Sequence, residues 1–328
     1  MRHEGVLVDA VNHGEIARAI AAGYQPHRKA GNQEGLPSAD PIVYTADIFD
    51  RESLEAVVQQ GIHVNCGSAD MLEQLAERVP GANVTLRINP GFGHGHSQKT
   101  NTGGEGSKHG IWHEAVPDVL RRAEWAGLAV TGLHMHIGSG ADLDHLASVA
   151  KSLEKTAHDI GRSLTMISAG GGLPVPYQKN EKRADLSSYF TLWDTTRKRL
   201  EDSFGHRIRL EIEPGRFLTA EAGILVTEVR ATKRQGSKKY LLVDAGFHTL
   251  ARPVLYGSYH PMSLCPTSTT PPRELESVAV GGPLCESGDI FTQEEGGFVS
   301  TRDLPPARVG DLLIIEVAGA YGFVMASN

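Results

Sequence analysis

The chain has 328 residues, 40% of them hydrophobic and 22% charged, which excludes a disordered or fibrous protein. Its 39 acidic and 32 basic residues leave a net charge of −7 with no basic block, which excludes nucleic acid or an anionic membrane as the main partner. The three cysteines, Cys66, Cys265 and Cys285, are odd in number and lack CxxC spacing, so neither a disulfide framework nor a metal site is expected and a cytoplasmic setting is. No apolar run reaches the ~18 residues of a membrane span, and the start, MRHEGVLVDAV, lacks a signal-peptide core. Glycine is the outlier, with 37 residues. Runs of glycine mark places where backbone approaches something closely, often a phosphate.

In chain order, short apolar strands are predicted at 5–11, 41–48, 62–67, 83–91, 129–139, 164–172 and 208–216. Helices fall between them. The stretch 14–23 puts Ile16, Ala19 and Ile20 on one face, and 53–60 does the same with Leu54, Val57 and Val58. Further helices start near Asp70, Ala115, Leu143 and Ser187, with glycines 61, 127 and 161 as stops. Strands alternating with helices predict a parallel sheet with right-handed crossovers.

Polar and glycine-rich residues crowd the C-terminal ends of nearly all seven strands: Asp47, Asn65, Asn89, His134, His136, Ser168 and Glu213. An open doubly wound sheet concentrates function at one switch point, whereas a barrel carries it on many strand ends. The predicted fold is therefore an α/β chain with a (β/α)8 TIM-type barrel over 1–218 lacking its first strand. From Thr219 the pattern becomes strands and turns with no helix between them, including a Pro/Thr-rich loop at 261–272. Residues 219–328 are predicted to form an all-β domain, itself incomplete. Both ends of the chain read as cuts through a domain, so a longer parent is expected.

Several motifs carry candidate chemistry. Ser168-Ala169-Gly170-Gly171-Gly172 follows an apolar strand, and its glycines read as an anion cradle or as a flexible strand-to-helix turn. Glu213-Pro214-Gly215-Arg216 ends another strand, with Arg216 suited to phosphate or carboxylate. Glu211 and Glu213 share a face by the two-residue period, but residues stacked along one strand do not flank a sugar as glycosidase carboxylates do. His134 and His136 also share a face, and no third ligand accompanies them, so no metal site is expected. The loop 91–110 (GFGHGHSQKTNTGGEGSKHG) is long enough to be functional. Cys285 beside Glu286 is a candidate proton donor or a buried structural cysteine.

Together, GEIARAIAAGY, NPGFGHGHSQKTNTGG, SKHGIW, GLHMHIGSG, ISAGGGLPVPY, LEIEPGRF, LVDAGF, RPVLYGSYH, GPLCESGDIFT and GAYG closely resemble the fold-type III pyridoxal-phosphate decarboxylases, and within them the diaminopimelate decarboxylases. The resemblance implies an alanine-racemase-like barrel plus a β domain, a homodimer with shared active sites, and pyridoxal 5'-phosphate as cofactor. It implies meso-diaminopimelate as substrate, with L-lysine and carbon dioxide as products. By the same resemblance Gly170, Gly171 and Gly172 hold the phosphate with Ser139 and Arg216, along the Pro214-Gly215 turn. His136 stacks on the ring and Glu213 binds its nitrogen. Arg216, Arg252 and Tyr256 form the substrate set, and Tyr321 touches cofactor and substrate. Cys285 returns the proton and Glu286 binds the distal ammonium group, both reaching in from the partner subunit.

One departure stands out. The family carries its cofactor on a lysine at the end of the first barrel strand. None of the eleven lysines here follows a buried strand at a barrel mouth; Lys99 and Lys108 lie in the polar loop. The strand at 5–11 aligns with the family's second. The chain is therefore expected to be inactive alone, either as part of a decarboxylase or as a lysine-less dimer partner. A related decarboxylase of arginine, ornithine or a carboxylated polyamine (carboxynorspermidine) is the alternative within the enzyme class.

Overall fold

The structure is a computed structural model describing residues 1–26, 38–93, 101–138, 142–267 and 274–327. Contacts divide the chain into two compact units, Met1–Gly172 with Asp185–Pro214, and Leu173–Ala184 with Gly215–Asn328.

The first unit alternates strands and helices. They run β1 (Val8–Ala10), α1 (His13–Ala21), β2 (Ile42–Ala46), α2 (Arg51–Gln60), β3 (His63–Cys66), α3 (Ala69–Arg78), β4 (Asn83–Asn89), β5 (Ile111–Trp112), α4 (Val116–Trp125), β6 (Ala129–His134), α5 (Leu143–Ile160), β7 (Met166–Ser168), α6 (Leu186–Phe204) and β8 (Arg209–Glu211). Four of the helices, α1, α2, α5 and α6, begin where side chains satisfy free backbone amides. Asn12 accepts from Glu15 N, Asp50 from Ser53 N, Asp142 from His145 N, and Asp185 from Ser187 N and Ser188 N. Ser68 starts α3 without such a bond, and Gly61 ends α2 in the left-handed conformation.

The strands pair in the order β1-β2-β3-β4-β6-β7-β8, all parallel, with β5 paired on β4. This is the parallel half-barrel sheet of a TIM-like α/β fold. All seven predicted strands are present, and among the described residues β1 and β8 end the path. Ile16 and Ala19 of α1 are buried as predicted, but Ile20 is exposed. The helix stops at Ala21 and its buried stripe is too narrow to take in the third residue.

The register gives the sheet two unlike faces. Val84, Leu86 and Ile88 on β4, with Ile42, Tyr44, Val64, Leu133 and Ile167, form a buried apolar face. The alternate positions are polar. Thr45, Asn65, Thr85, Gly132, Met166 and Arg209 align in one row across the strands, and Arg87, His134, Ser168 and Glu211 in another. A one-residue slip on any strand would turn these charges toward the helices, so the register is strongly specified.

The second unit contains α7 (Gly215–Thr219), β9 (Leu225–Gln235), β10 (Lys238–Val243), α8 (Arg252–Tyr256), β11 (Met262–Cys265), β12 (Glu276–Gly281), β13 (Arg302–Leu304) and β14 (Leu312–Ile315). Its sheet runs β11-β14-β9-β10-β12-β13, antiparallel except for the β10–β12 pair. Val229, Leu241, Val243, Val278, Val280, Phe291, Leu313 and Ile315 pack into its core. The expectation of strands with no helix between them is corrected by α8, a single turn started by Pro253 and closed by Gly257 in the left-handed conformation. Part of the supposed Pro/Thr-rich loop is strand β11; residues 268–273 lie outside the described residues. The boundary drawn at 218/219 falls inside α7. The contacts assign α7 and residues 173–184 to the second unit, because Val175, Tyr177, Phe217, Ala220, Val317 and Ala320 pack together.

Candidate active site

In the first unit the site grows from the C-terminal ends of β6, β7 and β8. Glu213, just past β8, donates its backbone N–H to Gly170 O at 2.9 Å, which ties the glycine run to the Glu-Pro-Gly-Arg turn. A Cβ on Gly170 would lie 2.6 Å from Met135 O, one on Gly171 2.7 Å from Glu213 O, and one on Gly172 2.4 Å from Gly138 O. Gly170 and Gly172 also have φ of +64° and +101°, so this path is open to glycine alone. Among the described residues, neither the Gly171 nor the Gly172 amide donates to a backbone carbonyl. Two free donors on a glycine path after a strand are what an anionic oxygen group requires.

The Glu213 carboxylate lies beside these glycines. His134 Nε2 is 2.9 Å from one of its oxygens and 3.1 Å from the other, and Ser168 Oγ donates to it at 3.2 Å. Burial would raise the Glu213 pKa, but the adjacent His134 with its hydrogen bond, then His136 and Arg87, outweigh burial and hold it at about 2. His136 faces the same glycines, with its Cε1 3.6 Å from the Gly171 Cβ position. Burial and then the Arg87 charge lower the His136 pKa to about 4, so its imidazole is neutral at pH 7. The Nδ1 atoms of His134 and His136 are buried and have no hydrogen-bond partner among the described residues. A carboxylate held ionised, a neutral imidazole and free glycine amides fit a group that is an anion at one end and a protonated aromatic ring at the other.

Two of the polar strand-end residues, Asn89 and Asp47, hold the neighbouring loop. Asn89 Nδ2 donates to Gly104 O and His109 O, and its Oδ1 accepts from Gly91 N and Gly104 N. Asp47 takes His109 Nδ1 at 2.6 Å and Gly110 N at 2.8 Å. Its carboxyl is raised by burial, but the His109 and Gly110 hydrogen bonds exceed this and leave its pKa below the ordinary value. Thr102 then joins the loop to the His136 and Ile137 carbonyls. The signal was available, since Asn before Pro-Gly is a frequent turn anchor. Residues 94–100 of the loop, with Lys99, lie outside the described residues, as do Ser139 and Lys29.

The second unit collects a different set. Arg216, on α7, is buried, donates to Tyr177 Oη at 2.8 Å and sits 5.0 Å from the centre of the Tyr321 ring. Arg252, at the start of α8, is buried 4.9 Å from the Tyr177 ring and donates from Nη1 to His260 Nε2 at 2.9 Å. His260 in turn donates from Nδ1 to Glu316 O. Its pKa is lowered to about 4, by burial first and then by the arginine charges, so it is a neutral acceptor for Arg252. Burial likewise lowers the Arg252 pKa. Among the described residues no carboxylate pairs with either guanidinium. Tyr256 lies one helical turn after Arg252, and Tyr321 adopts a φ of +62°, a strained conformation for a tyrosine. Tyr177 and His260 were not singled out by the sequence, which showed no spacing that would link them to the arginines. A Cβ on Gly215 would meet nothing within 4 Å, so no close approach requires glycine there.

Cys285 and Glu286 lie on the exposed side of a turn in the second unit. Asp289 builds the turn by accepting from Phe247 N and Leu284 N at 2.8 Å. The buried structural reading of Cys285 is excluded. Cys66 is the buried thiol, and its pKa is pushed up by burial alone. Among the described residues no three His, Cys, Asp or Glu side chains converge as metal ligands, and no helix is long and apolar enough to cross a membrane.

Comparison with known proteins defines the class. Residues 1–220 match the family described as pyridoxal-dependent decarboxylase, pyridoxal binding domain. The chain is 50% identical over its full length to diaminopimelate decarboxylase of Escherichia coli and 52% identical to that of Streptomyces coelicolor, spanning 76% and 73% of those proteins. A crystal structure of diaminopimelate decarboxylase, 50% identical, superposes with a TM-score of 0.92 over the whole chain and 76% of its own length. The Helicobacter pylori enzyme, solved in complex with L-lysine, is 28% identical with a TM-score of 0.81, over 99% of this chain and 77% of that one. The chain belongs to the pyridoxal-dependent decarboxylases, on the diaminopimelate decarboxylase branch. It is thus a lyase scaffold whose cofactor is pyridoxal phosphate.

Proposed function

We propose that the intact enzyme removes the carboxylate of meso-2,6-diaminopimelate to give L-lysine and carbon dioxide, and that this 328-residue chain lacks the lysine that carries the cofactor and is inactive alone. The observation that carries the reading is the junction of Gly170, Gly171 and Glu213, where a glycine path meets an ionised carboxylate and two histidines. Gly170, Gly171 and Gly172 would hold the cofactor phosphate with Ser139 and Arg216, along the Pro214-Gly215 turn. His136 would stack on the ring, its neutral form adding no charge against a cationic ring. Glu213 would keep the ring nitrogen protonated. The bound cofactor supplies an electron sink for the charge left when carbon dioxide departs.

The remaining roles belong to substrate handling. Arg252 and Arg216, with no carboxylate partner among the described residues, suit a substrate carboxylate, and Tyr256 and Tyr321 complete that set. Cys285 would return the proton and Glu286 would bind the distal ammonium group. Both are exposed here, as expected of residues that act across a homodimer interface on the partner's site. The free cysteines suit a reducing, cytoplasmic compartment. The described lysines lie on helices, on β9 and β10, or in loops, and none stands at the C-terminal end of a parallel strand.

The test is a pair of assays with meso-diaminopimelate. The chain as it stands should release no carbon dioxide and should take up no borohydride-fixed pyridoxal phosphate on a lysine. The same chain, extended at its start by the lysine-bearing segment of the Escherichia coli relative, should release it. Turnover of ornithine or arginine instead would overturn the substrate assignment. A fixed adduct on a lysine of the unextended chain would overturn the claim of inactivity.

A further inference from the structure

Resting on the cofactor reading above, we propose that His134 is a positioning residue, whose Nε2–H holds the Glu213 carboxylate ionised and aimed at the place of the cofactor ring nitrogen. The two residues lie 79 apart in sequence and on non-adjacent strands, with β7 between them. His134 is 1% exposed. Its Nε2 lies within hydrogen-bond reach of both carboxylate oxygens. That atom carries the proton, because a bare lone pair would otherwise face the carboxylate at 2.9 Å. The opposite nitrogen, Nδ1, is buried and has no partner among the described residues, so the ring's one strong contact is Glu213.

Other groups around the carboxylate do not duplicate this. Ser168 gives a single hydroxyl bond at 3.2 Å. Arg87 acts on Glu213 through charge alone, and His136 is neutral. Asp9, Glu211 and Tyr189 interact with it electrostatically and are acids themselves. Backbone geometry fixes where the carboxylate starts, through Glu213 N to Gly170 O, and His134 fixes where it ends. A carboxylate with a fixed donor on one side keeps its remaining lone pairs for a proton-bearing ring on the other.

The experiment uses the full chain, free of cofactor, with carbon-13 in its glutamate carboxyls. The Glu213 signal, assigned with Glu213→Gln, should titrate far below the other glutamates in the wild type. His134→Ala should move its midpoint up by about one unit or more. His134→Gln, whose amide still donates, should restore at least half of that shift. Equilibrium dialysis with pyridoxal 5'-phosphate should show weaker retention by His134→Ala, by about tenfold. A wild-type Glu213 titrating in the ordinary carboxylate range overturns the proposal, and needs no variant to fold. So does a folded His134→Ala in which the midpoint does not move. A wild-type chain that binds no pyridoxal phosphate contradicts the cofactor reading instead, while the cofactor-free titration still decides the hold of His134 on Glu213.

Discussion

Two carboxylates two residues apart at the end of one strand behave in opposite ways. Glu213 lies at the C-terminal end of the polar sheet face, beside His134, His136 and Arg87, and is held at about 2. Glu211 lies one step toward the N-terminal end, on a cavity of about 300 Å3 lined by Asp40, His63, Thr85, Thr131 and Arg209. There burial dominates, Arg209 at 3.9 Å compensates only in part, and the Glu211 pKa rises to about 7. The same residue type on the same strand is thus an anion at one level and half-protonated near neutrality at the other. The partners that each carboxyl meets, rather than the residue type, decide which of the two is ionised at neutral pH.

The strongest way to break this comparison is to disturb the upper level. Gly172→Ala places a Cβ 2.4 Å from Gly138 O at a φ of +101°. It should cost about 3 kcal/mol of stability and remove pyridoxal phosphate retention, measured by denaturant titration and by dialysis. Unchanged retention would show that the glycine path is only a turn. At the lower level, Glu211→Gln removes a carboxyl whose burial works against folding once it ionises. The variant should gain on the order of 2 kcal/mol at pH 8 and nothing at pH 4, because the cost grows as pH rises from about 4.5 to about 7.

Two groups of the upper level also differ in their acid limits. His136 has a lowered pKa of about 4, so its contribution is complete above about 6.5 and is lost as pH falls toward 4. Glu213 holds its contribution down to about 4.5 and loses it toward 2. Thermal unfolding of His136→Phe should therefore lose less stability than the wild type between pH 6.5 and 4, while Glu213→Gln should be less stable than the wild type above pH 4.5 and converge on it as pH falls toward 2. Asn89→Ala removes four hydrogen bonds from the loop beside the upper level and should cost about 2 kcal/mol, with faster proteolysis between residues 91 and 110. Cys285→Ser, on an exposed turn, should change stability by less than about 0.5 kcal/mol, yet abolish most turnover in the lysine-completed enzyme.

The barrel half of the fold was legible in the sequence because apolar runs such as VTLRI alternate with amphipathic helices between glycine and Asx stops. The glycine run, Glu213 and His136 were legible because their motifs are contiguous. The partner of Glu213 was not. His134 was visible as half of an HxH pair, but nothing in one dimension says that it meets a residue two strands away. Arg87, inside an ordinary strand, gains its role only from the register. In the second unit, Arg216 and Arg252 stood out by their motifs, whereas Tyr177 and His260 are joined to them only by packing. Strand β11 and helix α8 escaped because a four-residue strand and a single turn carry too little periodicity to read.

The account rests on the upper level binding a protonated ring. Nitrogen-15 NMR of ring-labelled pyridoxal 5'-phosphate mixed with the full chain tests that most directly. A ring nitrogen that stays protonated from pH 6 to 8, and loses its proton in Glu213→Gln, is the predicted result. A bound ring nitrogen that is unprotonated in the wild type, or that does not respond to Glu213→Gln, would contradict it.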